Sequence, residues 1–451
     1  MRIAFDRAVP VLVIKIGGYP LSHSGLGAIR TLGRAGVPAY TITEDRFTPQ
    51  AVSRFARGQF VLSASGAEPA DQLVAGLLEI GAQLNGPAIA LPTDDAAAIL
   101  LAERSAELAP WFTIPAIAGD LPRRLASKRG LHEICSALGM PTPGAAFPAT
   151  RNEVLDAAGE IGFPLMVKNL GAWLAQTQPV VDSATIVETP SQLRELVTHW
   201  PEQPNVMVQE YIPSAVSEDW IFHAYCNVAS QCLVGFTGVK YRSWPVRAGV
   251  TSYARVVRNE RLETLCRGLC ERIGYRGILD LDWRYDARDD TFKLVDFNPR
   301  LGANFRLFEN ALGIDVVRAL HLDLTGRPVP SGPAVEGRGL LVEHLDPPSR
   351  LSWRSSRSSD RTVPHQRGLL ELAWFAWDDP LPFVLMGVRS APYTARHVTR
   401  TLQWLVRPIG RVRQWFQRTV THRRPGGHSI SVKDAEGVDR AESEKQHRQS
   451  R

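Results

Sequence analysis

Acidic, amide and guanidinium side chains alternate along one predicted strand and just beyond it. The stretch KLVDFNPRLGANF, residues 293–305, carries Asp296, Asn298 and Arg300 at every second position, with apolar strand formers around them. Because strand side chains alternate between two faces, these three share a face for as long as the strand continues. Pro299 has no N–H to donate, so regular pairing is expected to end there.

The strand predicted immediately before this one repeats the pattern. The stretch GILDLDWRYD, residues 277–286, places Asp280, Asp282 and Arg284 on one face. If the intervening ARDD closes a hairpin, both acidic faces lie on the same side. Carboxylate and amide oxygens are hard ligands suited to Mg²⁺ or Mn²⁺, and Arg300 adds a planar fork for phosphate or carboxylate. The alternative is a solvated hairpin face with cross-strand salt bridges.

Isolated lysines in predicted strands and at a helix start add to this chemistry. Lys168 stands alone among apolar residues in PLMVKNL, and burying its charge is costly without a negative partner. A nucleotide phosphate is one such partner, and a structural ion pair is the other. Lys128 opens the predicted helix SKRGLHEICSALG, and Lys240 with Arg242 is expected to end a strand.

Strand and helix signals alternate in the N-terminal part of the chain and predict a parallel sheet covered by helices. The strands are VLVIKIGG, VPAYTIT and PAIALPTDD, and the helices are SGLGAIRTLGRAG and AAAILLAERSAELA. The turn GGYPLSHSGLG is not a GxGxxG fingerprint, so its glycines either face a ligand or only form a tight turn. From Asp120 the pattern changes to strands that pair antiparallel, with packed helices, which indicates an α+β unit.

Length, composition, charge and cysteine pattern indicate a globular protein of more than one unit. The chain has 451 residues, 44% of them hydrophobic, and a formal charge of +6, which predicts two or three globular units. Cys266 and Cys270 share a helix face and are either a metal or redox pair or, the favoured interpretation, small core residues. The cysteine pattern fits a reducing compartment, and we expect a cytoplasmic protein without a signal peptide or membrane span.

The C-terminal region is basic and of lower complexity. SRLSWRSSRSSDR is expected to be a loop, and the chain from about residue 424 is expected to be disordered. One approximate helical stripe precedes that tail: Leu405, Ile409, Val412, Phe416 and Val420. Three interpretations remain: a weak peripheral contact with anionic lipid, a nucleic-acid contact, or, favoured here, a helix packed on the body.

The order of these motifs resembles the ATP-grasp superfamily of carboxylate–amine or carboxylate–thiol ligases. The resemblance runs from SKRGLHEICSALGMPTPG through FPLMVKNL and VMVQEYIP to the acidic hairpin, and covers roughly residues 10–325. It implies an α/β pre-ATP-grasp domain with a parallel sheet, then an α+β ATP-grasp domain with antiparallel sheets. The implied boundaries are 1–118, 119–328 (divided near 205/206), a partly helical extension 329–423 and a tail 424–451.

The resemblance also implies roles for individual residues. It implies phosphate contacts for Lys128 and Lys168. It implies that a hinge strand binds adenine, with the residues Gln209, Glu210, Tyr211 and Ile212. It implies that Glu218 or Asp219 binds the ribose. It implies metal ligation by three side chains: Asp282, Asp296 and Asn298. It implies basic groups near the transferred phosphoryl or acyl phosphate: Arg300, Lys240 and Arg242. Catalytic histidines are not required.

Two features depart from the family pattern. Both metal acids are Asp where Glu is usual, and the phosphate-covering loop after Lys168 has Gly171 alone where several glycines are usual. The implied activity is phosphorylation of a small carboxylate by ATP with Mg²⁺ or Mn²⁺, expected as two ions, followed by amine or thiol attack. The alternative is an ATP-binding module of weak or no activity. No specific nucleic-acid partner is expected.

Overall fold

The computed structural model describes residues 3–19, 21–62, 64, 66–84, 86–170, 179–181, 184–246, 249–355 and 368–391, with only the backbone described for 352–355. The predictions for the glycine-poor loop at 171–178, the apolar stripe at 405–420 and the tail from 424 therefore lie outside the described residues.

The N-terminal sheet has five parallel strands in the order β3-β2-β1-β4-β5. The strands are β1 (Val11–Ile14), β2 (Ala39–Thr43), β3 (Ala56–Val61), β4 (Ala88–Pro92) and β5 (Phe112–Thr113). The helices are α1 (Ser24–Arg34), α2 (Ala70–Ala82), α3 (Asp95–Glu103) and α4 (Ser105–Leu108). The predicted parallel sheet is confirmed, whereas the single helix expected over 96–109 is interrupted at Arg104.

A second sheet carries Lys168 and pairs antiparallel throughout in the order β6-β9-β7-β8. Its strands are β6 (Ala145–Ala146), β7 (Leu165–Asn169), β8 (Thr185–Val187) and β9 (Val206–Glu210). The helices of this region are α5 (Leu121–Ala126), α6 (Lys128–Ala137), α7 (Arg151–Ile161) and α8 (Pro190–Thr198). The start of α8 is fixed by a capping box between Thr189 and Gln192.

The third sheet has seven strands in the order β14-β13-β10-β11-β12-β15-β16. They are β10 (Ser217–Cys226), β11 (Cys232–Trp244), β12 (Val250–Val256), β13 (Gly277–Asp286), β14 (Thr291–Asn298), β15 (Gly339–Leu341) and β16 (Leu370–Leu372). All neighbours are antiparallel except β15 and β16. The associated helices are α9 (Glu260–Ile273), α10 (Val316–Leu324) and α11 (Asp346–Ser355).

The two faces of the third sheet pack on different partners. Leu279, Leu281 and Trp283 of β13 face the core beneath α9. Ile221 and Tyr225 of β10 face a second core, which includes residues of the N-terminal sheet and α10. Since strand side chains alternate, the acids of β13 lie on the face opposite α9. The packing therefore directs Asp280 and Asp282 towards the N-terminal part of the chain.

The region after residue 339 is more regular than predicted. Helix α11 occupies part of the Ser/Arg-rich stretch that was expected to be a loop, and residues 381–391 are also helical. Asp346 in the first turn of α11 is 3% exposed and bonds to Arg242 and Arg350, contacts that the loop prediction missed. Within the described ranges, no helix is both long and apolar enough to cross a membrane.

Candidate active site

The acidic hairpin forms with the register that aligns its two polar faces. Asp282 of β13 pairs directly with Asp296 of β14, and Asp280 pairs with Asn298. Side chains that lie opposite each other in this way have Cβ atoms about 4.5–5.5 Å apart. The hairpin thus presents three carboxylates and one amide on one face, as the alternation in the two strands predicts.

Two lysines are bonded to the central carboxylates. The Nζ of Lys128, at the start of α6, donates to Asp296 Oδ1 at 2.5 Å. The Nζ of Lys240 donates to Asp282 Oδ1, also at 2.5 Å. Lys240 does not end its strand as expected, because β11 continues to Trp244. Both lysines therefore contact the acids to which the sequence analysis assigned metal binding.

Lys168 differs from these two lysines. It lies in β7 and is 8% exposed, yet its ammonium forms no ion pair within the described part of the chain. Burial, reinforced by the positive charge of Lys128, lowers the pKa of Lys168 from 10.5 to about 8. Asp296 and Asp282 act in the opposite direction. The ammonium of Lys168 therefore lies within the influence of the acidic cluster but forms no direct ion pair with a described residue.

The carboxylates of the cluster have unlike environments. Burial raises the pKa of Asp282, and the charge of Asp280 adds to this effect against the opposing Lys240. Burial acts in the same direction on Asp296, but the charges of Lys128, Lys168 and Arg300 outweigh it and lower its pKa. Asp296 is thus the carboxylate whose ionised form the surrounding cations favour.

Arg300 lies just beyond β14 and links the hairpin to the N-terminal sheet. Its guanidinium donates to Asn298 Oδ1 at 2.9 Å and to Asp280 Oδ2 at 3.2 Å. Its Nε also lies 3.4 Å from Asp95 Oδ1 in the first turn of α3. Asp95 Oδ1 is buried and accepts no hydrogen bond in the described structure. Arg300 is therefore held in place by the same oxygen-rich face on which it was predicted to act.

Sequence reasoning missed three partners of this face. His223 of β10 is fully buried opposite Asp280, with Nε2 3.0 Å from Oδ1. Gly302 packs so closely that a Cβ there would overlap His223 and Asp280. Asp95 was noted only as the end of a strand. The pairing of β10 with β13, which joins segments far apart in sequence, is what brings His223 to the site.

The residues predicted to contact adenine lie at the end of β9 and just after it, and those predicted to contact ribose lie at the start of β10, in a different sheet. The backbone N–H of Glu210 donates to Gly144 O at 2.7 Å, and its carboxylate pairs with Arg288. Glu218 accepts from Trp220 Nε1 at 3.0 Å, and Asp219 from Arg284 at 3.1 Å. Gln209, Tyr211 and Ile212 are buried. The negative charge of Asp219 acts on Lys240, the lysine that bonds to Asp282.

Arg242 is paired with an acid outside the hairpin, whereas Lys240 bonds to Asp282. Its guanidinium lies 2.7 Å from Asp346 and stacks 4.4 Å above the Tyr253 ring centroid. Its predicted proximity to phosphate therefore remains a prediction, with Asp346 as its observed partner.

Known proteins resemble both the sequence and the fold. No protein-family model matches the chain. D-aspartate ligase of Enterococcus faecium (strain Aus0004) is 25% identical over 239 residues, which cover 51% of this chain and 56% of that protein. Biotin carboxylase of Allochromatium vinosum is 26% identical over 203 residues, covering 43% of this chain and 44% of that protein. The alignments thus span about half the length of these relatives.

Solved structures share the architecture. N5-carboxyaminoimidazole synthetase from Staphylococcus aureus superposes with a TM-score of 0.54 at 11% identity, covering 75% of this chain and 83% of that one. The biotin carboxylase–β-gamma-ATP complex from Campylobacter jejuni gives 0.53 at 13% identity, covering 71% and 72%. The chain therefore has the ATP-grasp fold of these solved structures. The ATP-grasp fold class inferred from the order of lysine, hinge and acidic motifs is confirmed.

Proposed function

We propose that the chain is an ATP- and Mg²⁺-dependent ligase, which activates a small carboxylate as an acyl phosphate for attack by an amine or thiol. The observation that carries this proposal is Lys168, a buried ammonium that forms no ion pair among the described residues, although the charges of Asp282 and Asp296 act on it. Unpaired buried charge is retained only where something offsets its cost. A nucleotide phosphate would pair directly with this ammonium, whose charge Asp282 and Asp296 only partly offset.

The oxygen donors of the hairpin fit a hard divalent cation. Asp282, Asp296 and Asn298 offer two carboxylates and one amide oxygen, the donor set that Mg²⁺ or Mn²⁺ accepts. When bound with ATP, such ions neutralise phosphate charge during transfer. The buried Asp95 Oδ1, which accepts no hydrogen bond in the described structure, adds to the negative charge there. The proposed stoichiometry of two ions rests on the resemblance alone.

The residues of the chain then have distinct tasks in the proposed reaction. Lys128 and Lys168 bind and orient the phosphates, and Arg300 and Lys240 stabilise charge on the phosphoryl group. A substrate carboxylate oxygen attacks the γ-phosphorus, and the bond from that phosphorus to ADP breaks. The amine nitrogen next attacks the acyl carbon, phosphate leaves with the C–O electron pair, and the amine loses a proton. Arg242 is proposed to contact the acyl phosphate.

The nucleoside contacts of the proposed enzyme follow from the hinge strand. We assign adenine recognition to residues 209–212, and ribose binding to Glu218 or Asp219. Strand β9 ends at Glu210, so Tyr211 and Ile212 follow the part of the chain whose backbone pairs with β6 and β7. The ion pair of Asp219 with Arg284 and the bond from Trp220 to Glu218 hold both candidate acids in place.

The substrates are proposed by chemical class. The similarity to D-aspartate ligase makes an amino acid or another small carboxylate the first class to test. A screen for ADP release with Mg²⁺, pairing small carboxylates with amines, tests the proposal. We expect ADP formation that requires a carboxylate. ATP binding without ADP formation from any pair would instead support the nucleotide-binding module, which the glycine-poor sequence after Lys168 favours.

We also propose a cytoplasmic location and a peripheral contact with anionic lipid. The described cysteines are all free thiols, which agrees with a reducing compartment. Trp377, Leu381, Val384 and Val388 are between 54% and 91% exposed. The sequence 392–424, directly after them, has eight arginines and no acidic residue. An exposed apolar surface followed in the sequence by concentrated positive charge is typical of interfacial membrane segments.

Vesicle flotation tests the lipid contact. The full chain should float with vesicles that contain anionic phospholipid and remain free of purely zwitterionic vesicles. The double variant Trp377→Ser/Val384→Ser should lose this binding, whereas Val228→Ser, which removes an equally exposed apolar side chain elsewhere, should not. Equal flotation of all variants would contradict the assignment of this surface.

A further inference from the structure

Three cysteines from separate elements meet in the core beneath α9, on the face of the third sheet opposite to the side chains of Asp280 and Asp282. Cys226 ends β10, Cys232 begins β11, and the two are direct cross-strand partners. Cys270 reaches them from α9. The three Sγ atoms all lie within 4.8 Å of one another. The sequence analysis paired Cys270 with Cys266, but the fold joins it to the strand cysteines.

The sulfur atoms are closer than ordinary apolar packing requires. The Sγ atoms of Cys226 and Cys232 are 2.9 Å apart, whereas even the smaller carbon atoms pack at about 3.5–4.0 Å. All three residues are buried, at 1%, 8% and 0% exposure, and all are free thiols. Three thiols that converge this tightly do more than fill space as small hydrophobes.

The cluster has the chemistry of a soft-metal site. Thiolates select thiophilic ions such as Zn²⁺ over Mg²⁺ or Ca²⁺. Three sulfurs bound at the usual Zn–S distance of about 2.3 Å lie about 4 Å apart, which is within the 4.8 Å that bounds all three Sγ separations of the cluster. Arg267 donates to the backbone oxygen of Cys232, so a guanidinium lies beside the cluster and balances thiolate charge.

The cluster is separate from the proposed nucleotide site. Cys226 pairs across β10 and β13 with Gly277, whereas Asp282 pairs with Ile221, five residues away. Cys226 shares its sheet face with Phe222 and Ala224 and packs in the core under α9. An ion there cannot take part in phosphoryl transfer. It would instead join the β10–β11 hairpin to α9.

We propose that Cys226, Cys232 and Cys270 form a structural three-thiolate site for a thiophilic metal ion, with Zn²⁺ as the probe. Because thiolate ligation ties the hairpin to a helix, metal binding would also stabilise the fold. The proposal does not depend on ATP binding or ligase activity.

Metal content and Co²⁺ absorption of the full chain test this site. Under reducing conditions, the wild type should retain one Zn²⁺ per chain through gel filtration and show near-ultraviolet thiolate-to-cobalt absorption with Co²⁺. Cys226→Ser and Cys270→Ser should lose both signals. Cys266→Ser is the matched control, since Cys266 is buried on the same helix but lies outside the cluster, and it should keep them.

Several results would overturn the proposal. The wild-type measurements need no variant to fold, so wild-type protein that binds neither ion under reducing conditions contradicts it directly. Equal loss of metal in Cys266→Ser would contradict the assignment of these three ligands. A Cys226–Cys232 disulfide found by peptide mapping, together with no metal binding after reduction, would replace the metal site with a redox pair.

Discussion

At the scale of single residues, three lysines distinguish the proposed nucleotide site from an ordinary salt-bridged surface. Two of them form ion pairs and the third forms none among the described residues. Lys128 and Lys240 each donate to a carboxylate of the hairpin. Lys168 is the more buried residue and has no such partner among the described residues. Cross-strand salt bridges, the alternative that the sequence left open, explain the first two lysines. They do not explain the third, which is why we attribute its charge to phosphate binding.

Replacement of Lys168 by Met should weaken ATP binding without loss of fold stability. A charge-assisted hydrogen bond contributes about 1.5–3 kcal/mol, so we expect affinity for MgATP to fall about 10- to 100-fold. The melting temperature should stay equal or rise, because the variant no longer buries an unpaired charge. Calorimetric titration and thermal denaturation measure both. The control Arg151→Gln removes a cation from an exposed pair with Glu202 and should leave affinity unchanged.

Nucleotide binding should also be linked to proton uptake. Free Lys168 has a pKa of about 8, and bound phosphate would raise it, so ATP binding above pH 8 takes up a proton and weakens as pH rises. Stability of the free protein should have the opposite trend. Because the unfolded chain binds more protons between pH 8 and 10.5, this residue makes stability increase with pH there. Calorimetry at pH 8.5 in buffers of different ionisation enthalpy measures the uptake, which Lys168→Met should abolish.

At the scale of elements, the β13–β14 hairpin is the part of the site that sequence reasoning could predict best. Alternation places Asp280 with Asp282 and Asp296 with Asn298, and the short turn lets the two strands pair. The bulge that shifts the register between Asp282 and Trp283 was not predicted. The pairing of His223 with Asp280 could not be obtained in this way, since fifty residues separate the end of β10 from the start of β13. The extension of β11 past Lys240 was missed because its polar end lacks clear alternation.

Gly302 should be essential to the hairpin face. A Cβ at residue 302 overlaps His223 and Asp280, so Gly302→Ala should destabilise the fold by about 1–3 kcal/mol through overpacking. Urea denaturation measures this change. Gly268→Ala is the matched control on α9, where a Cβ has no atom within 4 Å and should stabilise the helix by about 0.5–1 kcal/mol. Equal effects in the two variants would contradict the predicted close packing.

At the scale of the whole molecule, the described C-terminal segment is joined to the N-terminal part by a buried ion pair. Arg30 of α1 bonds to Asp379 Oδ2 at 2.9 Å, and the two residues are 3% and 2% exposed. Asp379 also accepts from Ser53 and from the backbone of Arg54. No local pattern in the sequence predicts a contact between positions 349 residues apart, whereas the α/β order of the N-terminal part was readable from periodicity.

This buried pair should contribute more to stability than its exposed neighbour. Asp379→Ala leaves a buried guanidinium without its charge partner, so we expect a loss of about 3–5 kcal/mol. Asp378→Ala removes an exposed pair with Arg34 and should cost no more than about 1 kcal/mol. Urea denaturation compares them, and hydrogen exchange over 368–391 should increase in the first variant only. Similar losses in both variants would show that the buried pair does not hold this segment.

The most direct test of the central claim is a count of nucleotide-dependent metal ions at the hairpin. Titration of Mn²⁺ with ATP, followed by electron paramagnetic resonance, should show Mn²⁺ that binds the wild type only when ATP is present. Asp282→Asn and Asp296→Asn should each reduce this binding strongly, whereas Asp290→Asn, in the exposed turn of the same hairpin, should retain it. If Asp282→Asn and Asp296→Asn hold the same Mn²⁺ as the wild type, the acidic hairpin is not the metal–nucleotide site.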